Sequence, residues 1–263
     1  LLAPPAIAGV LLLPTPYLAL TLGLVVLIGA WEWSALAGTT GRGARLAFVA
    51  ALAAAMWLLW ASLPPSLVPP LLGGLVLGWL GLGLYLLRVR EVPPVTGIQP
   101  LALLSGVPVL LGTWLALVHL HGSTPRGPEL VLFLLLLIWT ADSAAYFTGR
   151  QWGRAKLAPA VSPGKTRVGV YGALLGAALA ALALAWWLEM GPALSAAAVA
   201  VCVATAALSV VGDLFESLVK RRRGVKDSGR LLPGHGGVLD RIDSLTAAAP
   251  VFTLGLLWLE AQL

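Results

Sequence analysis

Four aspartates stand where this sequence could do chemistry. In VVGDLFES, Asp213 is followed three residues on by Glu216 and four on by Ser217, so one helical face would present two carboxylates and a hydroxyl. Asp240 and Asp243 repeat the three-residue spacing in VLDRIDS. Asp142, in IWTADSAAYFTGR, comes thirteen residues after Glu129 in an apolar run, about 20 Å along a helix. A carboxylate at that depth costs roughly 2.5 to 3.5 kcal/mol to insert, which points to a cavity or a cation facing it; the alternative is a helix-end acid on a watered face of the bundle. Paired carboxylates beside basic residues suit magnesium, a hard cation that takes oxygen ligands and shares them with substrate phosphates. Helix capping is the competing explanation. It fits Asp243 at the start of a last helix and fits Asp213 poorly, because the dipole at a helix C-terminus opposes an anion.

The basic run 220–223, with Lys226 and Arg230, lies between the two pairs. Such a run ordinarily sets membrane topology or meets anionic headgroups at about 1 kcal/mol per residue. Here PGHGG follows, and Gly234, Gly236 and Gly237 would let the backbone approach a ligand and turn its amides inward, so phosphate binding is the sharper reading. His235 could donate to a phosphate oxygen or move a proton. SPGKTR invites comparison with a phosphate-binding P-loop, but Pro159 stands where that motif requires glycine, and no strand is expected around it. What remains is Lys165 between Ser162 and Thr166 at a helix start, an anion contact. His119 and His121 are read as loop residues and not as a metal site.

These residues must be positioned by membrane helices. The 263-residue chain is 59% hydrophobic and 11% charged, with mean hydropathy +0.92, and its apolar runs of about 20 residues have no polar face of the kind a soluble helix needs. The expected fold is an all-α polytopic membrane protein with about nine transmembrane helices, at 1–13, 17–36, 46–63, 67–87, 101–120, 130–148, 168–188, 193–214 and 245–259. Sixteen of the seventeen Lys and Arg residues fall after the even-numbered spans, which places those loops, and the active site with them, on the cytoplasmic side. The N-terminus would then be cytoplasmic and the C-terminus opposite. Segments 149–167 and 216–243 would share one compartment. Glycines four apart, Gly74 with Gly78 and Gly172 with Gly176, are expected where helices pack closely. The single cysteine, Cys202, excludes an intrachain disulfide and is expected to pack. The chain opens without Met, so a trimmed N-terminus is expected; there is no cleavable signal pattern.

The stretch SLVKRRRGVKDSGRLLPGHGGVLDRID, 217–243, resembles the signature of the phosphatidate cytidylyltransferases, or CDP-diacylglycerol synthases. That pattern runs Ser, apolar, Lys, Arg, four residues, Lys-Asp, then His-Gly-Gly and Asp-Arg-apolar-Asp. Ser217, Lys220, Arg221, Lys226, Asp227, His235, Gly236, Gly237, Asp240, Arg241 and Asp243 occupy its fixed positions. ADSAAYFTGR, LAPAVSPGKT, VVGDLFES and the WEW at 31–33 also resemble family segments. The chain departs from the family after SPGKT, with Arg167 and Val168 in place of an aromatic residue and Glu or Gln.

The resemblance implies a transferase that joins CTP and phosphatidate into CDP-diacylglycerol and pyrophosphate, in the inner membrane of a bacterium, with magnesium required. It implies catalytic roles for Asp213, Asp240, Lys220, Lys226 and His235, and cation ligation by Asp142, Asp213, Asp240 and Asp243. Ser162, Lys165, Thr166, Ser217, Arg221, Asp227, Gly236, Gly237 and Arg241 would contact the phosphates. Segment 1–130 would supply helices and 131–263 the catalytic region. A second cation, Mg2+ or K+, and a homodimer are left open; membrane lipids are expected partners. No nucleic acid is expected, because topology accounts for the net charge of +6 and no aromatic-basic platform is present. A CTP-using lipid kinase would instead pass on the γ-phosphoryl group and leave CDP. A transporter would spread ionisable residues near the midplane and repeat one half.

Overall fold

In the computed structural model, which describes residues 3–231, 234, 236–260 and 262, nine α-helices follow one another among the described residues. They are α1 (Ala3–Leu12), α2 (Thr15–Leu36), α3 (Arg42–Ser62), α4 (Val68–Leu86), α5 (Pro100–Ser123), α6 (Gly127–Trp152), α7 (Arg167–Trp187), α8 (Pro192–Arg222) and α9 (Leu239–Glu260). Proline opens α2, α4, α5, α6 and α8, at positions where its missing N–H removes no helical bond. Eight helices are long and apolar enough to cross a membrane. The exception is α1, whose ten described residues cover about 15 Å, half of the hydrocarbon thickness, so among the described residues eight of the nine expected spans reach membrane-crossing length.

The interior is tied by bonds that apolar surroundings make valuable. Trp33 donates from Nε1 to the Ala102 carbonyl (2.7 Å) and Trp114 from Nε1 to the Ala19 carbonyl (2.9 Å), joining α2 to α5. Thr253 donates to the Ala116 carbonyl (3.2 Å), joining α9 to α5. The α6–α7 pair packs closely at Gly172 and Gly176, where an added Cβ would meet Thr148 and Ala144 of α6. Gly74 and Gly78 do not behave this way: no neighbour lies within 4 Å of an added Cβ, and both line a groove of about 690 Å3 between α4, α5 and α8. Cys202 is fully buried in the core, as expected.

Three local expectations change. An antiparallel ribbon, β1 (Lys156–Ala158) with β2 (Ser162–Thr166), pairs Lys156 with Thr166 and Ala158 with Ser162, where no strand was expected. The run 156–166 is too short and too rich in Pro and Gly to show an alternating pattern. His119 and His121 lie in the last turns of α5, not in a loop; buried His121 bonds Thr15 Oγ1 through Nδ1 (2.9 Å) and the Val10 carbonyl through Nε2 (3.0 Å). Both helices at the polar end are longer than their apolar runs. α8 spans about 46 Å, well beyond the hydrocarbon, so Asp213, Glu216, Ser217 and Lys220 ride on its final turns, and α9 already includes Asp240 and Asp243.

Candidate active site

Asp213, Glu216, Ser217 and Lys220 form one stripe of α8, at the i, i+3, i+4 and i+7 positions of a helical face. The opposite stripe, Phe215, Leu218, Val219 and Arg222, faces the apolar groove against α4 and α5. One helix therefore divides an apolar compartment from a polar one. The polar stripe is met from two directions, by the β-ribbon leading into α7 and by the loop leading into α9.

From the ribbon, Lys165 reaches Asp213, Nζ to Oδ2 at 2.6 Å, with both side chains roughly a quarter exposed. Ser217 donates to Asp213 Oδ1 (3.3 Å). Asp142 on α6 lies within electrostatic reach of Lys165 and Asp213. Asp142, Lys165 and Asp213 share the wall of a cavity of about 580 Å3 with Tyr146, Arg150, Lys156 and Thr166. Thr166 also caps α7 by accepting from the Gly169 amide (3.1 Å). It is packed so closely that an added Cβ at Gly149, Gly153 or Gly169 would press on it. Ser162 is half-buried at the start of β2.

On the side of α9 the geometry is tighter. Lys220 donates from Nζ to Asp240 Oδ1 (2.6 Å) and to Glu216 Oε2 (2.8 Å). Asp240 Oδ2 accepts from the Ser228 amide (2.9 Å), the Gly237 amide (2.8 Å) and the Ser228 hydroxyl (3.0 Å). The Gly237 amide thus points at Asp240. Gly236 holds a left-handed φ of 81°, and a Cβ there would press on Asp240. Asp243 accepts from the Ser244 amide (2.7 Å) and lies near enough to Asp213, Lys165 and Glu216 to interact with each. The Glu216 Oε1 atom is buried with no hydrogen-bond donor among the described residues.

A sixth acid completes the set, and it comes from the first half of the chain. Glu32, on α2, is 5% exposed and accepts from the Val238 amide (3.0 Å) on Oε1 and from the Leu239 amide (2.8 Å) on Oε2, which also shares the single proton of the Ser228 hydroxyl (3.0 Å) with Asp240 Oδ2. It was missed as a site residue. The signal was available: like Asp142, it is an acid inside an apolar run, where charge is costly without a partner.

The other expected residues lie apart from this core. Lys226 and Asp227 are exposed on the loop, Arg221 donates to the Val225 carbonyl at 3.5 Å, and Arg241 is exposed on the first turn of α9. His235 falls outside the described residues. Among the described residues no three acids or imidazoles converge as a ready-made metal cage. Lys220 instead links Glu216 to Asp240, and Lys165 holds Asp213. Six carboxylates carry more charge than those two ammonium groups neutralise, so the arrangement can accept further cations on one side and, through Arg150, Lys156 and Lys165, anions on the other.

The family model for the cytidylyltransferase family matches residues 1–258. The chain is 44% identical to the phosphatidate cytidylyltransferase of Pseudomonas aeruginosa over 98% of its own length and 93% of the relative's. It is 39% identical to that of Haemophilus influenzae over 94% and 93%, and 45% identical to that of Brucella suis over 53% and 51%.

Proposed function

Since the chain belongs to the phosphatidate cytidylyltransferase family, we propose that the polar end of α8 and α9 is where it joins CTP to phosphatidate. In this reaction a lipid phosphate oxygen attacks the α-phosphorus of CTP. The new P–O bond forms as the bond to the β-phosphate oxygen breaks, giving CDP-diacylglycerol and pyrophosphate. The nucleophile is already an anion, so the site must align two polyanions and offset their charge more than it must remove a proton.

The observation that carries the assignment is Lys165 bonded to Asp213 on the wall of a cavity that also presents Arg150 and Lys156. Lys165 is placed to leave Asp213 for a CTP phosphate, with Arg150 and Lys156 beside it. Lys220 would hold Asp240 while Asp213 faces the substrate. Ser217 and Arg221 on α8, Arg241 on α9, Ser162 on the ribbon, and Lys226, Asp227, His235, Gly236 and Gly237 in the sequence between α8 and α9 would contact the nucleotide and the lipid phosphate.

Magnesium fits the donor set, which is all oxygen and includes a buried Glu216 Oε1 that lacks a donor. Asp142, Asp213, Asp240 and Asp243, with Glu216, would hold it, and a second cation, Mg2+ or K+, has carboxylates enough. Bound there, it would neutralise charge on the transferring phosphoryl group. The catalytic region 131–263 would be joined by Glu32 of α2.

The end of the bundle that carries sixteen of the seventeen basic residues is proposed to face the cytoplasm, where CTP is dissolved, with the C-terminal end of α9 opposite. The test is direct: purified protein receives phosphatidate, magnesium and CTP labelled in the cytidine. Label should enter lipid with release of pyrophosphate, and chelation should stop it. Release of CDP with label absent from lipid would overturn the reading.

A further inference from the structure

We propose that Glu32 is a positioning residue for cytidylyl transfer, holding the start of α9 so that Asp240 and Lys220 keep their working geometry. This rests on the site assignment above. Three successive amides at the beginning of α9 are divided between two carboxylates. Gly237 donates to Asp240, while Val238 and Leu239 donate to Glu32. Val238 and Leu239, at the boundary and first position of the helix, are among the donors that any helix leaves unpaired at its N-terminus, and the positive end of the helix favours an acid there. Glu32 thus caps α9 from another helix.

Ser228 couples the two acids. Its hydroxyl lies 3.0 Å from Glu32 Oε2 and 3.0 Å from Asp240 Oδ2, and its amide donates to Asp240. Room for Glu32 is built into the loop, because a Cβ at Gly229 or Gly237 would collide with its carboxylate. Among the described residues the partners of Glu32 are all neutral donors, with no ammonium for a substrate phosphate to draw away. A group so held stays fixed while Lys165 and Asp213 exchange partners, which is what a support for Asp240 requires.

Glutamine keeps the size but replaces one acceptor oxygen with a donor, leaving either the Val238 or the Leu239 amide facing another N–H. Aspartate keeps the charge but falls short by a methylene. The full chain is compared as wild type, Glu32→Gln, Ser228→Ala and the double variant, measuring kcat and KM for CTP, thermal midpoint, and amide hydrogen exchange. Glu32→Gln is expected to lower kcat roughly ten- to a hundredfold with KM for CTP changed far less. Exchange should accelerate at 228 and at 237–239 and not in α6 or α7. Because Ser228 is the link, the double variant should lose about as much as the worse single one.

Unchanged kcat in Glu32→Gln, or losses that multiply in the double variant, would overturn the proposal. If Glu32→Gln does not fold, Ser228→Ala decides alone: it should lower kcat, and normal kcat would dismiss the linkage. Failure of the wild type to label lipid would instead strike the site assignment, so the two failures are told apart.

Discussion

Around Asp213 the carboxylate is met by one lysine and one hydroxyl, is about 29% exposed and borders a cavity. Around Asp240 and Glu32 all four oxygens are met, by Lys220, three amides of the α9 start, and the amide and hydroxyl of Ser228. The same residue types are used for two purposes. A partly hydrated ion pair is cheap to exchange, so the Asp213 side suits ligands that come and go. A buried carboxylate whose oxygens are met by backbone amides, a hydroxyl and a buried lysine is costly to disturb, so the Asp240 side suits a fixed frame.

The largest test of this contrast is Asp240→Asn. It should lower turnover by about a thousandfold and also cost about 1.5 to 3 kcal/mol of stability, since buried Lys220 then faces an amide and keeps only Glu216. Thermal midpoint and lipid labelling, measured on the same preparation, check both. Asp213→Asn should lose turnover to a similar degree, yet change stability by less than about 1 kcal/mol. If it melts as early as Asp240→Asn, the distinction between the two sides fails.

Lys165→Met is expected to lower kcat/KM for CTP by roughly ten- to a hundredfold, the worth of one charge-assisted contact to a phosphate, and to leave the thermal midpoint nearly unchanged. Initial rates over a range of CTP concentrations would show it. The smallest effect is predicted far from either side. Cys202→Ala, in the packed interior of α8, should cost about 1 kcal/mol of stability through lost van der Waals contact and leave turnover alone. A change in kcat there would mean that the apolar stretch of α8 transmits strain to its polar end.

The carboxylate pairs were legible because helical spacing is local: Asp213 with Glu216, and Asp240 with Asp243, share faces whatever the rest of the chain does. Lys165 was legible as an anion contact, but its meeting with Asp213 was not, because the ribbon that carries it is too short to announce itself. Glu32 left a faint trace as a charge in an apolar run. Its partners are backbone amides, which every residue has, so no pattern of side chains could point to them. The same limit applied to Gly237: the need for glycine was visible, whereas the cause, a carboxylate arriving from α2, was not.

Composition and local spacing by themselves determined that the chain is a bundle of membrane helices, that its basic residues gather at one end, and that its acids come in helical pairs. Those properties follow from transfer energies and from 3.6 residues per turn, which act over short stretches. Only the tertiary structure decided which acids stay exchangeable and which are locked, and that α2 supplies the cap of α9. Such outcomes depend on which backbone groups meet which side chains across the bundle, and no single stretch of sequence contains both partners.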